Sequence, residues 1–321
     1  MSDLAISTRG LTKTYRRGKV IAVNAFDLNV PRGGVHGFLG PNGSGKTTTI
    51  RMLLGLINAD AGEMEILGHR VPEKIEDVIG RIGAIVESPK FFPEFTARKN
   101  LEILGQAIGV EDQMISQVME EVGLTGRADS LYKTFSLGMK QRLAIAGTML
   151  KDPEIYIFDE PTNGLDPSGI HEIRETMRTL GSSGKTVLVS SHILHEIEQV
   201  ADTVTIIGRG RLLAEASMAD IKSSAPTAVR VKLANLKKGA QVLASSGFTA
   251  TVDNDAVLVT KESGELLGEE ISAALGKAEL WPTELIVQRK NLEQIFLDIT
   301  ASEHLTVTQS PGGIARREAA A

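Results

Sequence analysis

The 321-residue chain contains no cysteine, which removes disulfides, thiolate metal sites and cysteine nucleophiles together. Aromatic residues make up only 4% and there is a single tryptophan, so the core has to be built from aliphatic side chains. Positive charge is not in excess: 35 Lys and Arg stand against 40 Asp and Glu, a formal net charge of −5. Polyanion-binding proteins usually carry the reverse balance, and no nucleic-acid partner is expected. No apolar run approaches the ~18–20 residues of a membrane-spanning helix. The best candidate, Leu143 to Leu150, ends at Lys151-Asp152-Pro153. Met1-Ser2-Asp3-Leu4 lacks the basic-then-apolar order of a secretory signal. The expectation is a chain that stays in the cytoplasm and does not cross a bilayer by itself.

Hydrophobic residues at 42% and charged residues at 23% fit a folded protein rather than a disordered one. From about residue 4 to 215, short β-rich runs alternate with helical stretches, the pattern of a mostly parallel sheet covered by helices. Val35 to Leu39, Ile82 to Val86, Ile155 to Phe158, Thr186 to Val189 and Val204 to Ile207 read as strands. Several are apolar throughout, as in strands buried on both faces. Between Thr96 and Leu150 the apolar spacing becomes helical, with Leu101, Leu104, Ile108, Met114, Ile115, Val118, Met119 and Val122; this reads as an insertion. A linker follows near Ser223 to Thr227. Beyond it, strand signals at Ala228 to Leu233, Phe248 to Val252 and Ala256 to Thr260 mix with helical ones at Glu265 to Leu275 and Leu292 to Ile299. The expected division is 1–220, a smaller α+β domain at 221–308, and a disordered tail at 309–321.

Gly40-Pro41-Asn42-Gly43-Ser44-Gly45-Lys46-Thr47 fits G-x-x-x-x-G-K-[ST] after an apolar strand and before a helix-forming run, Thr47 to Gly55. Glycines let the backbone curl so that successive amides point at a phosphate chain, and the helix start adds its positive dipole end. These eight residues, with Thr48, are assigned to nucleotide binding. Lys46 would reach the β- and γ-phosphates, and the Thr47 hydroxyl would ligate Mg²⁺. The strand Ile155-Tyr156-Ile157-Phe158 closes on Asp159-Glu160. Asp159 is expected to hold Mg²⁺ through water, and Glu160 to polarise the water that attacks the γ-phosphate.

With these residues in order, the sequence over about 4–220 resembles the nucleotide-binding subunits of ABC transporters. Pro161-Thr162-Asn163-Gly164-Leu165-Asp166-Pro167 is similar to that family's D-loop, which implies that Asp166 sits at a subunit interface. Ser191-His192 resembles its switch histidine, which implies a contact from His192 to the γ-phosphate. Phe135-Ser136-Leu137-Gly138-Met139-Lys140-Gln141-Arg142 is similar to the family signature, with Leu137 and Met139 replacing a Gly and a Gln. The resemblance implies that Ser136 bonds a phosphate and Gly138 permits close approach, while a helix from near Met139 aims its N-terminus at the anion; Ser136 as a helix cap alone is the other reading. Tyr15 lies where the family places an aromatic ring against adenine. Glu87 stands at the family's Gln position beside nucleotide and Mg²⁺, or is a plain exposed loop acid.

The resemblance implies an α/β fold of the P-loop NTPase class: a RecA-like, mostly parallel sheet with an antiparallel β subdomain and a helical insertion at about 96–150, plus the C-terminal α+β domain. It also implies ATP hydrolysis with Mg²⁺ in a homodimer, the signature of one copy covering the phosphate loop of the other, and a separate membrane permease driven from the inner face of the membrane. Glu87, the signature and the closing Asn291-Leu292-Glu293-Gln294-Ile295-Phe296-Leu297 resemble the ATPases of ABC-2-type exporters of drugs, bacitracin or lantibiotics. The permease is expected to dock around Glu87 to Asn100, where Phe91, Phe92, Pro93 and Phe95 cluster, although each ring would equally suit inward packing. For the C-terminal domain a regulatory or dimer-stabilising role is implied. The competing readings are a soluble ABC-type ATPase acting on nucleic acid or ribosomes, a regulatory ATP-binding module without turnover, and a small-molecule kinase. The paired Asp159 and Glu160 argue against the second, and a kinase would not explain the signature, the D-loop or His192.

Overall fold

The structure is a computed structural model that describes residues 3–16, 18–86, 90–223, 226–261 and 268–289. The chain falls into two compact units, the first Met1–Met218 and the second from Ala219 onward. The expected helix Leu292 to Ile299, the Asn291 to Leu297 run and the tail from 309 lie outside the described residues, as does the start of the expected helix Glu265 to Leu275.

In the first unit the elements run β1 (Leu4–Tyr15), β2 (Val20–Pro31), β3 (Gly34–Leu39), α1 (Lys46–Leu53), β4 (Ala61–Ile66), β5 (His69–Val71) and β6 (Ile82–Ile85). Then come α2 (Ala97–Ile108), α3 (Asp112–Glu121), α4 (Leu137–Met149), β7 (Ile155–Asp159), α5 (Pro167–Ser182), β8 (Thr186–Ser191), α6 (Leu194–Val200), β9 (Thr203–Gly208) and β10 (Arg211–Ser217). The central sheet has the order β10-β9-β3-β8-β7-β6. It is parallel except for the β9–β10 hairpin. Every residue of β8 and the first four of β7 are buried, because helices cover a parallel sheet on both faces and leave no place for polar alternation.

A second sheet, β2-β1-β4-β5, is antiparallel. Its inner face supplies Ile6, Leu11, Phe26 and Leu28 to a core shared with Phe38 of β3 and Ile50 and Leu53 of α1. Phe26 and Phe38 meet with ring centroids 5.7 Å apart, a rare aromatic pair in an aliphatic interior. The helical insertion consists of α2, capped by Thr96 whose hydroxyl accepts from Lys99 N, then α3 and α4.

One buried ionisable group sits in the middle of the central sheet. His36 of β3 is flanked by the Thr203 hydroxyl at 2.7 Å from Nδ1 and the Thr205 hydroxyl at 2.9 Å from Nε2. Burial pushes its pKa down to about 4, since desolvation disfavours the imidazolium. His36 is therefore a neutral packing residue, held by two hydroxyls of the adjacent strand β9.

After α7 (Met218–Ser223), the second unit contains β11 (Pro226–Lys232), α8 (Leu236–Ser245), β12 (Thr249–Asp253), β13 (Ala256–Thr260), α9 (Gly268–Lys277) and β14 (Glu284–Arg289). The sheet is antiparallel in the order β12-β13-β11-β14. Val229, Val231, Val257 and Val259 alternate onto one face and pack with Leu243 of α8 and Ile271 and Leu275 of α9. The unit has its own small core.

Candidate functional site

β3 delivers the chain to Gly40 at the C-terminal edge of the central sheet, where Gly40 N donates to Ser191 O at 3.2 Å. The loop then curls back to α1. A side chain at Gly40 would put its Cβ 2.3 Å from Ile207 O and 2.6 Å from Ser44 Oγ. Gly45 turns the chain into α1 with φ 114°, and a Cβ there would sit 2.6 Å from Ala22 O. Both positions need glycine for steric reasons, and the second also for its left-handed backbone. Pro41, Asn42 and Gly43 form the exposed rim of the loop, whereas Thr47 and Thr48 are half-buried at the first turn of α1.

Lys46 is 5% exposed and Glu160 20%. The Lys46 ammonium donates to Gly40 O at 2.6 Å and to Pro41 O at 3.3 Å. Its third neighbour is Glu160 Oε1 at 3.1 Å. Surrounding oxygens are what make a buried ammonium tolerable. The other carboxylate oxygen, Glu160 Oε2, lies 2.8 Å from His192 Nδ1. The structure thus brings Lys46, Glu160 and His192 into one chain of contacts beside the loop, from three different elements.

Asp159 and Glu160 are held by a residue that the motif reading passes over. Ser190 of β8 donates from Oγ to Asp159 Oδ1 at 2.5 Å and accepts from Glu160 N at 2.9 Å. Glu160 itself has φ 50°, the left-handed region that costs a non-glycine residue ~1–2 kcal/mol. The Ser190 hydroxyl is one of the groups that keep the backbone there. Ser190 is fully buried two residues before His192, and no local sequence pattern marks it.

Ser44 Oγ is buried in the loop with no hydrogen-bond partner. An unsatisfied buried hydroxyl is costly, and anionic oxygens seated in the loop would satisfy it. For a divalent cation, the oxygen donors at hand are Thr47 on α1 and Asp159 on β7. Among the described residues no group of three or more His, Cys, Asp or Glu side chains is arranged to hold a metal ion, so a hard cation here would complete its shell with phosphate and water oxygens.

Ser136, Gly138 and Asp166 form a second cluster. Ser136 caps α4, accepting from Met139 N at 3.3 Å. The helix begins at Leu137, two residues before the expected start near Met139, because the Ser136 hydroxyl satisfies one of the first free amides. Asp166 caps α5, accepting from Gly169 N at 3.1 Å. The two helix starts lie side by side: a Cβ on Gly138 would be 3.5 Å from Gly169 Cα, and one on Gly164 3.4 Å from Leu137 Cδ2. Arg142 of α4 pairs with Glu172 of α5 at 3.2 Å. Ser136, Leu137 and Asp166 are exposed, so both caps are presented on the surface.

Tyr15 ends β1, opposite Val20, and is 39% exposed. The strand end is anchored by Asp60, which accepts from Lys13 Nζ at 2.9 Å and from Thr14 N and Oγ1 at 2.7 Å. These bonds, the lysine's first, hold the Asp60 carboxyl down to about 2. Glu87 lies outside the described residues. Of the phenylalanines nearby, Phe91 packs on Tyr132 with centroids 5.3 Å apart, whereas Phe92 and Phe95 pair with each other at 5.3 Å and are 56% and 41% exposed. Buried Asn100 staples their loop, accepting from Phe92 N at 2.7 Å and donating to Phe92 O and Thr96 O. Beside them a groove of about 490 Å³ is lined by Ile85, Phe91, Phe92, Leu104 and Ile108 among others.

The comparisons with known proteins bear on the whole chain. A model described as ABC transporter matches residues 23–163. The bacitracin transport ATP-binding protein BcrA of Enterococcus faecalis is 35% identical over 297 residues, spanning 92% of this chain and 96% of that protein. The chain belongs to the ABC transporter family. It is an ATP-binding, ATP-hydrolysing subunit with the P-loop NTPase fold of ABC cassettes. BcrA of Bacillus licheniformis is 49% identical over 212 residues, 65% of this chain and 69% of that protein. A solved ATP-binding subunit of an ABC transporter superposes with a TM-score of 0.59 at 31% identity, over 68% of this chain and 92% of that one. The reading as an ATPase for nucleic acid or ribosomes draws no support from these ABC relatives.

Proposed function

We propose that this ABC subunit powers an ABC-2-type exporter of a bacitracin-like or other antibiotic or lipid-like compound, by closing and opening a homodimer around MgATP. The single observation that carries the hydrolytic part is the contact chain in which Glu160 meets Lys46 at 3.1 Å and His192 at 2.8 Å. The narrower exporter assignment draws on the BcrA relatives, whose names describe bacitracin transport.

In this reading the loop Gly40 to Thr48, through its free amides from Asn42 onward, and the Lys46 ammonium bind the triphosphate. Lys46 exchanges its present oxygen partners for phosphate oxygens, which are better acceptors for a cation. Tyr15 offers one exposed face to the adenine ring. Thr47 and Asp159 would hold Mg²⁺, and Glu87 is proposed as a further ligand; the ion, when bound, neutralises charge on the phosphates. Glu160 accepts a proton from the attacking water, and His192 fixes the carboxylate and contacts the γ-phosphate. The Ser190 hydroxyl ties the Asp159 carboxylate to the Glu160 backbone.

A phosphate loop alone leaves one side of a γ-phosphate open to water. The exposed caps Ser136 and Asp166, with Gly138 close behind, suit the task of covering it from a second copy, since a helix N-terminus favours an anion by ~0.3–1 kcal/mol, more when water is excluded. ATP then acts as the adhesive of the dimer, and loss of phosphate weakens it.

No helix among the described residues is long and apolar enough to cross a membrane, so export needs separate permease subunits, with this chain on their cytoplasmic side. Phe92, Phe95 and the neighbouring groove give an apolar surface for that contact. The test is Glu160→Gln in the full chain: ATP binding retained, hydrolysis abolished and a stable dimer trapped. Unchanged turnover removes Glu160 from the mechanism, and co-purification from native membranes without a polytopic protein removes the permease.

A further inference from the structure

Glu196, in the first turn of α6, is 8% exposed and takes no part in the chemistry above. Its carboxylate is held by hydroxyls. Thr162 Oγ1 donates to Glu196 Oε2 at 2.6 Å, and Ser191 Oγ lies 3.3 Å from the same oxygen. Thr162 stands two residues beyond Glu160, and Ser191 immediately precedes His192. One buried carboxylate therefore grips both segments that carry the Glu160–His192 contact.

The surrounding backbone shows why such a grip is needed. Glu160 occupies a strained φ, and the chain turns at once, with Asn163 N donating to Glu160 O and Leu165 N to Thr162 O, each at 3.1 Å. On the other side β8 ends at Ser191, whose Oγ accepts from Ile193 N at 2.9 Å, so His192 is carried on a two-residue bend between β8 and α6. Glu160 and Thr162 lie beyond the end of β7, and His192 lies one residue beyond Ser191, the last ladder position of β8. A single acceptor oxygen shared by both hydroxyls ties the two segments to one point, and burial strengthens such bonds.

We propose that Glu196 is a positioning residue for ATP hydrolysis: through Thr162 and Ser191 it fixes the relative placement of Glu160 and His192. This rests on the reading of those two residues as the hydrolytic pair. Loss of the grip leaves the phosphate loop intact, so nucleotide binding survives while the attacking geometry loosens.

The test uses the full-length chain and MgATP, measuring kcat, KM and equilibrium binding of the nucleotide. Glu196→Ala is expected to lower kcat about tenfold with binding within about twofold, the signature of lost alignment rather than lost affinity. Glu196→Gln, which keeps an acceptor for Thr162, should recover most of that loss, and Thr162→Val should reproduce it. In the double variant Glu196→Ala/His192→Ala, the losses should fall clearly short of the product of the single ones, because both act on one contact. Should Glu196→Ala fail to fold, Thr162→Val combined with His192→Ala reads the same coupling. Fully multiplicative losses, or a binding loss in step with kcat, overturn the proposal while leaving the hydrolytic pair in place. A His192→Ala chain with parental kcat removes that pair, and the proposal with it.

Discussion

Two regions of this molecule carry linked charges, and they use them differently. At the ends of β7 and β8, Lys46, Glu160 and His192 are 5%, 20% and 32% exposed and meet at the mouth of a parallel sheet. On the antiparallel sheet of the second unit, Asp255 pairs with Arg230 and with Lys232 at 3.3 Å, and Lys232 with Glu284 at 2.9 Å, all on side chains about a third or more exposed. The hydrogen bond from Lys232 is the main reason the Asp255 carboxyl lies below its usual range. In the first region the charges are partly stripped of water and converge beside the phosphate loop, and the proposed function gives each a distinct chemical task. In the second they are solvated along a sheet face and tie neighbouring strands together. Charge networks of similar outline thus differ in consequence because water screens one more than the other.

The sharpest way to break this contrast is Glu160→Gln, which removes one charge from the screened-off network. Turnover of MgATP is expected to fall by roughly 10²–10⁴-fold, the usual worth of a general base, with nucleotide affinity kept; phosphate release and nucleotide titration check the two halves. A second, smaller effect tests burial without chemistry. His36 is held to about 4, so the unfolded chain binds the extra proton between pH 6.5 and 4. Stability should therefore decline as pH falls through that window and level off below it, by up to about 3 kcal/mol at this site. Denaturant unfolding of the parent against His36→Gln should show a shallower acid limb in the variant.

Gly40→Ala follows. Its Cβ would press on the Ile207 carbonyl at 2.3 Å, and displacing backbone there should cost ~1–3 kcal/mol and weaken ATP binding, measured by thermal unfolding with and without nucleotide. The smallest effect belongs to the solvated network: Asp255→Asn should leave the thermal midpoint of the full chain nearly unchanged, and what change there is should vanish in high salt. A large, salt-insensitive loss would contradict the distinction drawn here.

The phosphate loop was legible because everything it needs is consecutive. Gly40, Gly45 and Lys46 stand at fixed spacing within one short loop, and the flanking strand and helix announce themselves by composition. The paired Asp159-Glu160 was legible for the same reason. Ser190 and Glu196 were not: each matters by bridging segments about 30 residues apart, and a serine or glutamate has no local pattern that tells a bridge from a solvated side chain. The phenylalanine cluster divides similarly. Spacing left the rings open to either fate, and packing sent Phe91 onto Tyr132 while leaving Phe92 and Phe95 outside.

Ser136 illustrates a different limit. Helix capping and a phosphate contact both ask for a small hydroxyl before a helix start, so the residue type alone serves both readings. The exposure of that helix start beside the Asp166 cap is a property of how α4 and α5 pack.

Chain order and residue type were enough to identify a nucleotide-hydrolysing cassette, since a loop, a strand end and a short signature each do their work within a few adjacent peptides. Which carboxylate faces the lysine, which serine fixes it and which ring stays in water were settled only by folding. Those choices depend on strands distant in sequence meeting edge to edge, where exclusion of water makes the difference between a contact that matters and one that does not.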